Sequence, residues 1–171
     1  PCVFTSTDLV FDGLDSSYKE TDPVSPISYY GEQKVKAEQG MLEIYPKTVI
    51  CRMPLMFGVP SPYGESFIQF FLKTFRAGKE LSLFTDEYRT PVSALTAAKG
   101  LLLALDNLKG DILHLGGKER ISRYDFGHLM ADIFNFSKEL ITPCQQKDVP
   151  MSAPRSPDTS LAVSYTHLRA H

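Results

Sequence analysis

The chain has 171 residues, 43% hydrophobic and 22% charged, with a formal net charge of −2, the profile of one ordered globular domain or slightly less. Such balanced charge, with no basic run, argues against nucleic-acid and membrane-surface partners and for a small-molecule ligand. Cys2, Cys51 and Cys144 have no paired spacing, so neither a metal knuckle nor a disulfide framework is implied, a reducing cytoplasmic compartment fits best, and no apolar run reaches the roughly 20 residues of a membrane span.

Residues 2–11 are apolar and β-prone from the outset and read as a strand inside a buried sheet, so a natural start upstream of Pro1 is expected. Asp12-Gly13 and Asp15-Ser16-Ser17 read as a turn and loop running on to Pro26. Residues 27–45 are mostly helix formers, with Tyr30, Lys34, Ala37 and Met41 three and four apart along one face, and Pro46 ends them. The β-branched run from Thr48 to Met53 fits a buried parallel strand, and strand, helix, strand is the crossover unit of a parallel sheet.

Further on, Ser66 to Ala77 is a second amphipathic helix stopped at Gly78, and Leu81 to Phe84 a short strand. Thr90-Pro91-Val92 opens a third helix that continues to Leu108. Ile112 to Leu115 reads as a strand closed by Gly116-Gly117. Ser122 is the expected N-cap of a fourth helix reaching Phe134, and Val149 to Ser160 is loop. The phenylalanines from Phe67 to Phe84 fall at core spacings. Val163 to His171 breaks in composition and looks like the translation of a sequencing-library adapter, so the tail from residue 162 is excluded, and with it a metal site at His167 and His171. The alternation of strand and helix predicts an α/β architecture.

Tyr30-Gly31-Glu32-Gln33-Lys34 places a phenol and an ammonium one helical turn apart on one face. A free tyrosine titrates near pH 10, and a neighbouring cation favours its ionised form. Such a phenol can protonate a carbonyl oxygen as hydride reaches the carbon. Tyr29 cannot, since Gln33 lies four residues on. About 0.5 tyrosine–lysine pairs at this spacing are expected by chance in a chain of this composition, so the pair gains meaning from Thr7. That residue lies just inside the first strand and is followed by Asp8, and its hydroxyl can hydrogen-bond a substrate carbonyl.

The order of motifs, Ser6-Thr7-Asp8-Leu9-Val10-Phe11-Asp12-Gly13, Tyr30-Gly31 to Lys34, Arg52-Met53-Pro54-Leu55-Met56-Phe57-Gly58, Arg89-Thr90-Pro91-Val92, His114-Leu115-Gly116-Gly117 and Pro157-Asp158-Thr159-Ser160-Leu161, resembles the dTDP-4-dehydrorhamnose reductase family. These are extended short-chain dehydrogenases of the NAD(P)-binding Rossmann superfamily. The resemblance spans nearly all of residues 2–161. It implies a doubly wound parallel sheet with a small substrate-binding subdomain, residues 1–59 belonging to the cofactor domain and 60–161 to the substrate region with returning Rossmann elements. It implies a catalytic triad of Thr7, Tyr30 and Lys34, with Tyr30, Lys34 and Pro54 at a cofactor, NADP or NAD. Thr7, Asp8, Leu55, Arg89 and Arg155 would border a nucleotide-linked 4-keto-deoxysugar; for either arginine the alternative is a solvated surface charge. The glycine-rich phosphate turn of the family has no counterpart here and is expected upstream, which would leave this piece inactive alone. A homodimer is compatible with the resemblance.

Two departures stand out. Leu9 and Leu55 replace residues that are typically aromatic in the bacterial rhamnose reductases, and such rings commonly supply a flat apolar contact to a sugar or base. Arg155-Ser156-Pro157 replaces an adjacent Arg-Pro. Two other functions compete with the reductase. One is a non-catalytic NADP-binding regulator resembling the methionine adenosyltransferase β subunit. The other is a sugar-nucleotide epimerase or dehydratase, for which Asp8 is the one extra acid/base candidate near Thr7. His114, in an apolar strand, and His128, in a helix, read as structural, and Cys51 as a small core residue.

Overall fold

A computed structural model describes residues 1–60, 62 and 64–162; the adapter-like tail from Val163 and its two histidines lie outside the described residues. In chain order the elements are β1 (Val3–Thr7), α1 (Tyr29–Ile44), β2 (Val49–Met53), β3 (Met56–Phe57), α2 (Phe67–Arg76), β4 (Leu81–Phe84), β5 (Tyr88–Arg89), β6 (Val92–Ser93), α3 (Ala94–Asn107), β7 (Ile112–His114), β8 (Ile121–Ser122), α4 (Arg123–Phe134) and β9 (Ile141–Cys144).

The fold is α/β. β1, β2 and β7 form a parallel sheet in the order β1-β2-β7, with Val3 opposite Val49 and Cys51 opposite Leu113. Side chains alternate across a strand, and β2 divides accordingly. Val49, Cys51 and Met53 pack with Ala97 and Ala104 of α3, while Arg52 points the other way to Glu38 of α1. Every residue of β2 is buried, as a central strand covered on both faces requires.

A second core gathers Phe71 and Phe75 of α2, Leu81 and Leu83 of β4, Phe126, Met130 and Ala131 of α4, and Ile141 of β9. Here β4 and β9 run parallel. α4 lies close against β4 because position 127 is glycine: a Cβ there would stand 2.2 Å from Leu83 Cδ1. Phe71 and Phe75 are core, whereas Phe70 is largely exposed. A third cluster, Val10, Phe11, Tyr18 and Leu161, ties the first loop to the far end of the chain. There the Tyr18 hydroxyl accepts from the N–H groups of Gly13 and Asp15 and donates to Asp12.

Several expected boundaries move, each for a local reason. The strand expected over residues 2–11 ends at Thr7, because the Thr7 hydroxyl accepts the N–H of Leu9 and turns the chain into a short 3₁₀ segment, Asp8–Val10. The third helix starts at Ala94 and not at Thr90. Val92 and Ser93 pair with β3, and the Ser93 side chain caps the helix at the N–H of Thr96. α1 begins at Tyr29 with Ser28 as its cap. His114 and Cys51 are fully buried, as expected of core residues.

Candidate active site

β1 and β2 end side by side, with Thr7 opposite Met53, and α1 starts next to them. Gly31 permits that proximity: a Cβ at this position would lie 2.3 Å from the Leu9 carbonyl oxygen. The strand ends and the start of α1 open onto a cleft of about 820 Å³. Thr7, Asp8, Leu9, Tyr30, Pro54 and Leu55 line it on this side. Phe84 of β4, Glu87, Arg89 of β5 and Arg123 of α4 line it too, as does the proline-containing segment from Val149 to Ser156, which includes Arg155.

All the expected site residues except Lys34 therefore line one cavity. Tyr30 is about half exposed (53%), an accessible phenol. Lys34 lies one turn along the same helix, its Nζ 5.8 Å from the centre of the Tyr30 ring and 5.1 Å from that of Phe4. It donates a hydrogen bond of 2.9 Å to the Thr5 carbonyl oxygen. An ammonium has three donors, and this contact uses one.

Thr7 is buried. Its hydroxyl donates to Asp8 Oδ1 at 3.1 Å while accepting from Leu9. A substrate carbonyl would compete with Asp8 for that proton. Asp8 itself forms part of the cleft floor: Thr159 donates to its Oδ2 at 2.6 Å and Arg89 Nε stands 3.4 Å away. Burial pushes the Asp8 carboxyl up from the ordinary carboxylate range, against the pull of Arg89 and the hydroxyls of Thr159 and Thr7.

The two arginines differ. Arg89 is 6% exposed, and each of its nitrogens faces protein oxygens. Nε meets Asp8, Nη1 the carbonyls of Tyr88 and Pro157, and Nη2 the Ser156 carbonyl and Glu87. It clamps the closing loop and is no solvated surface charge. Arg155 is half exposed and donates from Nη1 to Glu87 Oε2 at 2.8 Å.

Sequence reasoning misses Glu87 and Arg123. An acidic residue between Asp86 and Tyr88 carries no periodic signal and reads as loop, yet Glu87 is 3% exposed and receives Arg89, Arg123 and Arg155 together. Arg123 follows the N-cap Ser122, so its sequence context marks a helix start and no ligand. Thr159, the partner of Asp8, stands in the Pro157–Leu161 motif, which carries the resemblance without assigning Thr159 to the site. His114 has its Nδ1 3.0 Å from the Tyr18 carbonyl oxygen, a structural contact. The His128 ring lies 4.5 Å from that of Tyr124, centre to centre.

The family model of the RmlD substrate binding domain matches residues 1–170. Among curated proteins, the chain is 30% identical over 167 residues to the probable low-salt glycan biosynthesis reductase Agl14 of Haloferax volcanii, covering 96% of this chain and 56% of that protein. It is 27% identical to the methionine adenosyltransferase 2 subunit beta of Danio rerio, covering 97% and 53%. The crystal structure of a dTDP-4-dehydrorhamnose reductase from Clostridium acetobutylicum superposes with a TM-score of 0.85 at 29% identity, covering 93% of this chain and 55% of that one. The chain thus spans about half the length of the curated relatives it matches.

Proposed function

This chain belongs to the RmlD substrate binding domain family, and from that premise we propose that it supplies the catalytic and substrate-binding part of a reductase acting on the keto group of a nucleotide-linked deoxysugar, of the dTDP-4-dehydrorhamnose type. The observation that carries the reading is the meeting of the Thr7 hydroxyl and the Tyr30 phenol on one cleft, with Lys34 one turn behind the phenol.

The exposed phenol of Tyr30, the two remaining donors of Lys34 and the apolar ring of Pro54 fit the nicotinamide-riboside end of NADP or NAD. That group, when bound, supplies hydride. Tyr30 donates the proton to the substrate oxygen, and Thr7 gives it a hydrogen bond, exchanging its Asp8 partner for the carbonyl. Lys34 holds the ribose and keeps positive charge beside the phenol. Asp8 and Arg89 shape the cleft floor, and Leu55 offers the sugar an aliphatic surface in place of a ring. Asp8 is occupied by Arg89, Thr159 and Thr7, which speaks against its use as the extra acid/base residue of an epimerase or dehydratase.

The test is NADPH and NADH oxidation by the whole protein with dTDP-4-dehydrorhamnose, in wild type and Tyr30→Phe. Loss of the hydroxyl is expected to lower kcat by about 100-fold to 10,000-fold with KM little changed. The likeness to the methionine adenosyltransferase β subunit favours a second reading, a cofactor-binding regulatory subunit. Cofactor binding by wild type without turnover of any keto-sugar nucleotide would select it.

A further inference from the structure

We infer that Asp8 positions Thr7 through its own protonation state: as the substrate ketone binds, Asp8 takes up a proton on Oδ1 and donates it to the Thr7 hydroxyl, which turns the Thr7 proton to the ketone oxygen. The inference rests on the keto-sugar substrate proposed above and makes its binding depend on pH. A hydroxyl has one proton to give and two lone pairs. In Thr7 the Leu9 N–H fills one lone pair at 3.2 Å, and the proton goes to Asp8 Oδ1 at 3.1 Å. What remains for a ligand is a lone pair, which suits an alcohol but not a ketone, since a ketone oxygen only accepts. Ketone and ionised Asp8 thus compete for the same proton.

If the Thr7 proton simply swung to the ketone, Asp8 Oδ1 would face the Thr7 oxygen at 3.1 Å with no hydrogen between them, in a residue 3% exposed. A buried acceptor left without a donor is destabilising. A proton taken from solvent onto Oδ1 removes the conflict. The contact is kept with its direction reversed, Leu9 and Asp8 fill both lone pairs of Thr7, and the hydroxyl proton is free for the ketone. Asp8 passes from carboxylate to carboxylic acid, Thr7 keeps its own proton, and no other bond changes.

The geometry selects Oδ1 for that proton. Oδ2 already receives the hydroxyl of the fully buried Thr159 at 2.6 Å and has Arg89 Nε at 3.4 Å, and a guanidinium cannot accept. The surrounding charges tolerate a neutral Asp8. Arg89 keeps a second anion, Glu87 Oε1 at 3.6 Å, a carboxylate that also meets Arg123 and Arg155. The Tyr30 phenol shares this side of the cleft. Burial pushes the Asp8 carboxyl up against the pull of Arg89, the Thr159 and Thr7 hydroxyls and its own N–H, so a proton is taken up here more readily than by an exposed carboxylate.

The test is the affinity of the whole protein for dTDP-4-dehydrorhamnose with oxidised cofactor, and for the corresponding alcohol, dTDP-rhamnose, with reduced cofactor, pairs that cannot react. Both are titrated between about pH 5 and about pH 9 in wild type and Asp8→Asn. In wild type, affinity for the ketone is expected to fall as pH rises, towards a limit of about 10-fold per pH unit, while affinity for the alcohol does not fall. The Asn side chain offers Thr7 an N–H at every pH while its oxygen faces Thr159 and Arg89, so the fall with the ketone is expected to be lost. Ionisation of Tyr30 weakens the ketone complex equally in both proteins, and the difference between them isolates Asp8.

Ketone affinity that is independent of pH in wild type, or that falls equally in wild type and Asp8→Asn, overturns the inference and, where the protein turns over the keto-sugar, leaves the reductase reading intact. A protein that neither binds nor reduces the keto-sugar nucleotide at any pH overturns the reductase reading, and this inference with it. Should Asp8→Asn fail to fold, Thr7→Val decides: without the hydroxyl the fall is expected to disappear, and a fall as steep as in wild type overturns the inference.

Discussion

Arg52 of β2 grips Glu38 of α1 with two nitrogens, Nε to Oε1 at 3.1 Å and Nη2 to Oε2 at 2.8 Å, inside a region where both side chains are at most 6% exposed. Ser6 of β1 donates to the same carboxylate. Glu38 lies on the Tyr30–Lys34 face, eight residues beyond Tyr30. Together with the Lys34 contact to Thr5, it fastens that face of α1 to successive residues of β1, so the phenol is placed relative to Thr7. Removing one partner leaves an uncompensated buried charge, at about 3–5 kcal/mol. Glu38→Leu or Arg52→Met alone is therefore expected to lower unfolding free energy by that amount in denaturant titration, and the double variant to recover much of it.

Gly31→Ala tests the approach of α1 to the 3₁₀ segment that follows β1. The added methyl would meet the Leu9 carbonyl oxygen at 2.3 Å and Pro26 Cβ at 2.8 Å, and the helix start must move away. A loss of about 1–3 kcal/mol is expected from overpacking. Turnover should fall further than stability predicts, because Tyr30 is the adjacent residue. Urea melts and steady-state rates on one preparation separate the two effects.

His114 gives the fold a pH dependence. Burial, the largest cause, holds its pKa below the ordinary 6.5, with Arg52 acting in the same direction and Glu20 and the Tyr18 carbonyl opposing. The Nδ1 proton goes to the Tyr18 carbonyl, and Nε2 is buried with no hydrogen-bond partner among the described residues, so protonation there adds a buried cation. The unfolded chain binds that proton more readily. Its contribution to stability is therefore complete above pH 6.5 and is lost as pH falls through the lower folded-state pKa. Stability measured between neutral and acidic pH should fall in wild type and fall less in His114→Gln.

Much of this architecture is legible in the sequence. α1, β2 and α4 appear where helix formers, the β-branched Val49-Ile50-Cys51 run and the Ser122 cap place them. The two-residue strands β3, β5, β6 and β8 are not, since two residues carry no alternation. β9, Ile-Thr-Pro-Cys, contains a proline that argues against a strand, and it is tolerated because, among the described residues, β9 pairs with β4 alone. For the site, Thr7, Tyr30 and Pro54 are readable from motif order. Glu87 and Arg123 are not: their importance comes from three arginines distant in sequence converging on one carboxylate, and no local pattern encodes that.

Cys51 should be chemically silent. Burial pushes its thiol up to about 12, so almost no thiolate exists at about pH 8. Iodoacetamide is expected to label Cys51 only under unfolding conditions. Labelling of the folded protein, followed by peptide mass spectrometry, checks this.

The closure between the first loop and the last carries a consequence for synthesis. The N–H of Ser17 donates to the side chain of Ser160, 143 residues later, and Thr159 donates to Asp8 across 151. At about 5–20 residues per second, a ribosome needs about 7–30 s to travel from one partner to the other. Throughout that interval the cleft floor lacks one of its sides. The nascent chain holds Asp8 and the Tyr18 loop without their partners until Thr159 and Ser160 emerge, so the binding surface is completed after translation of that loop and not progressively before it.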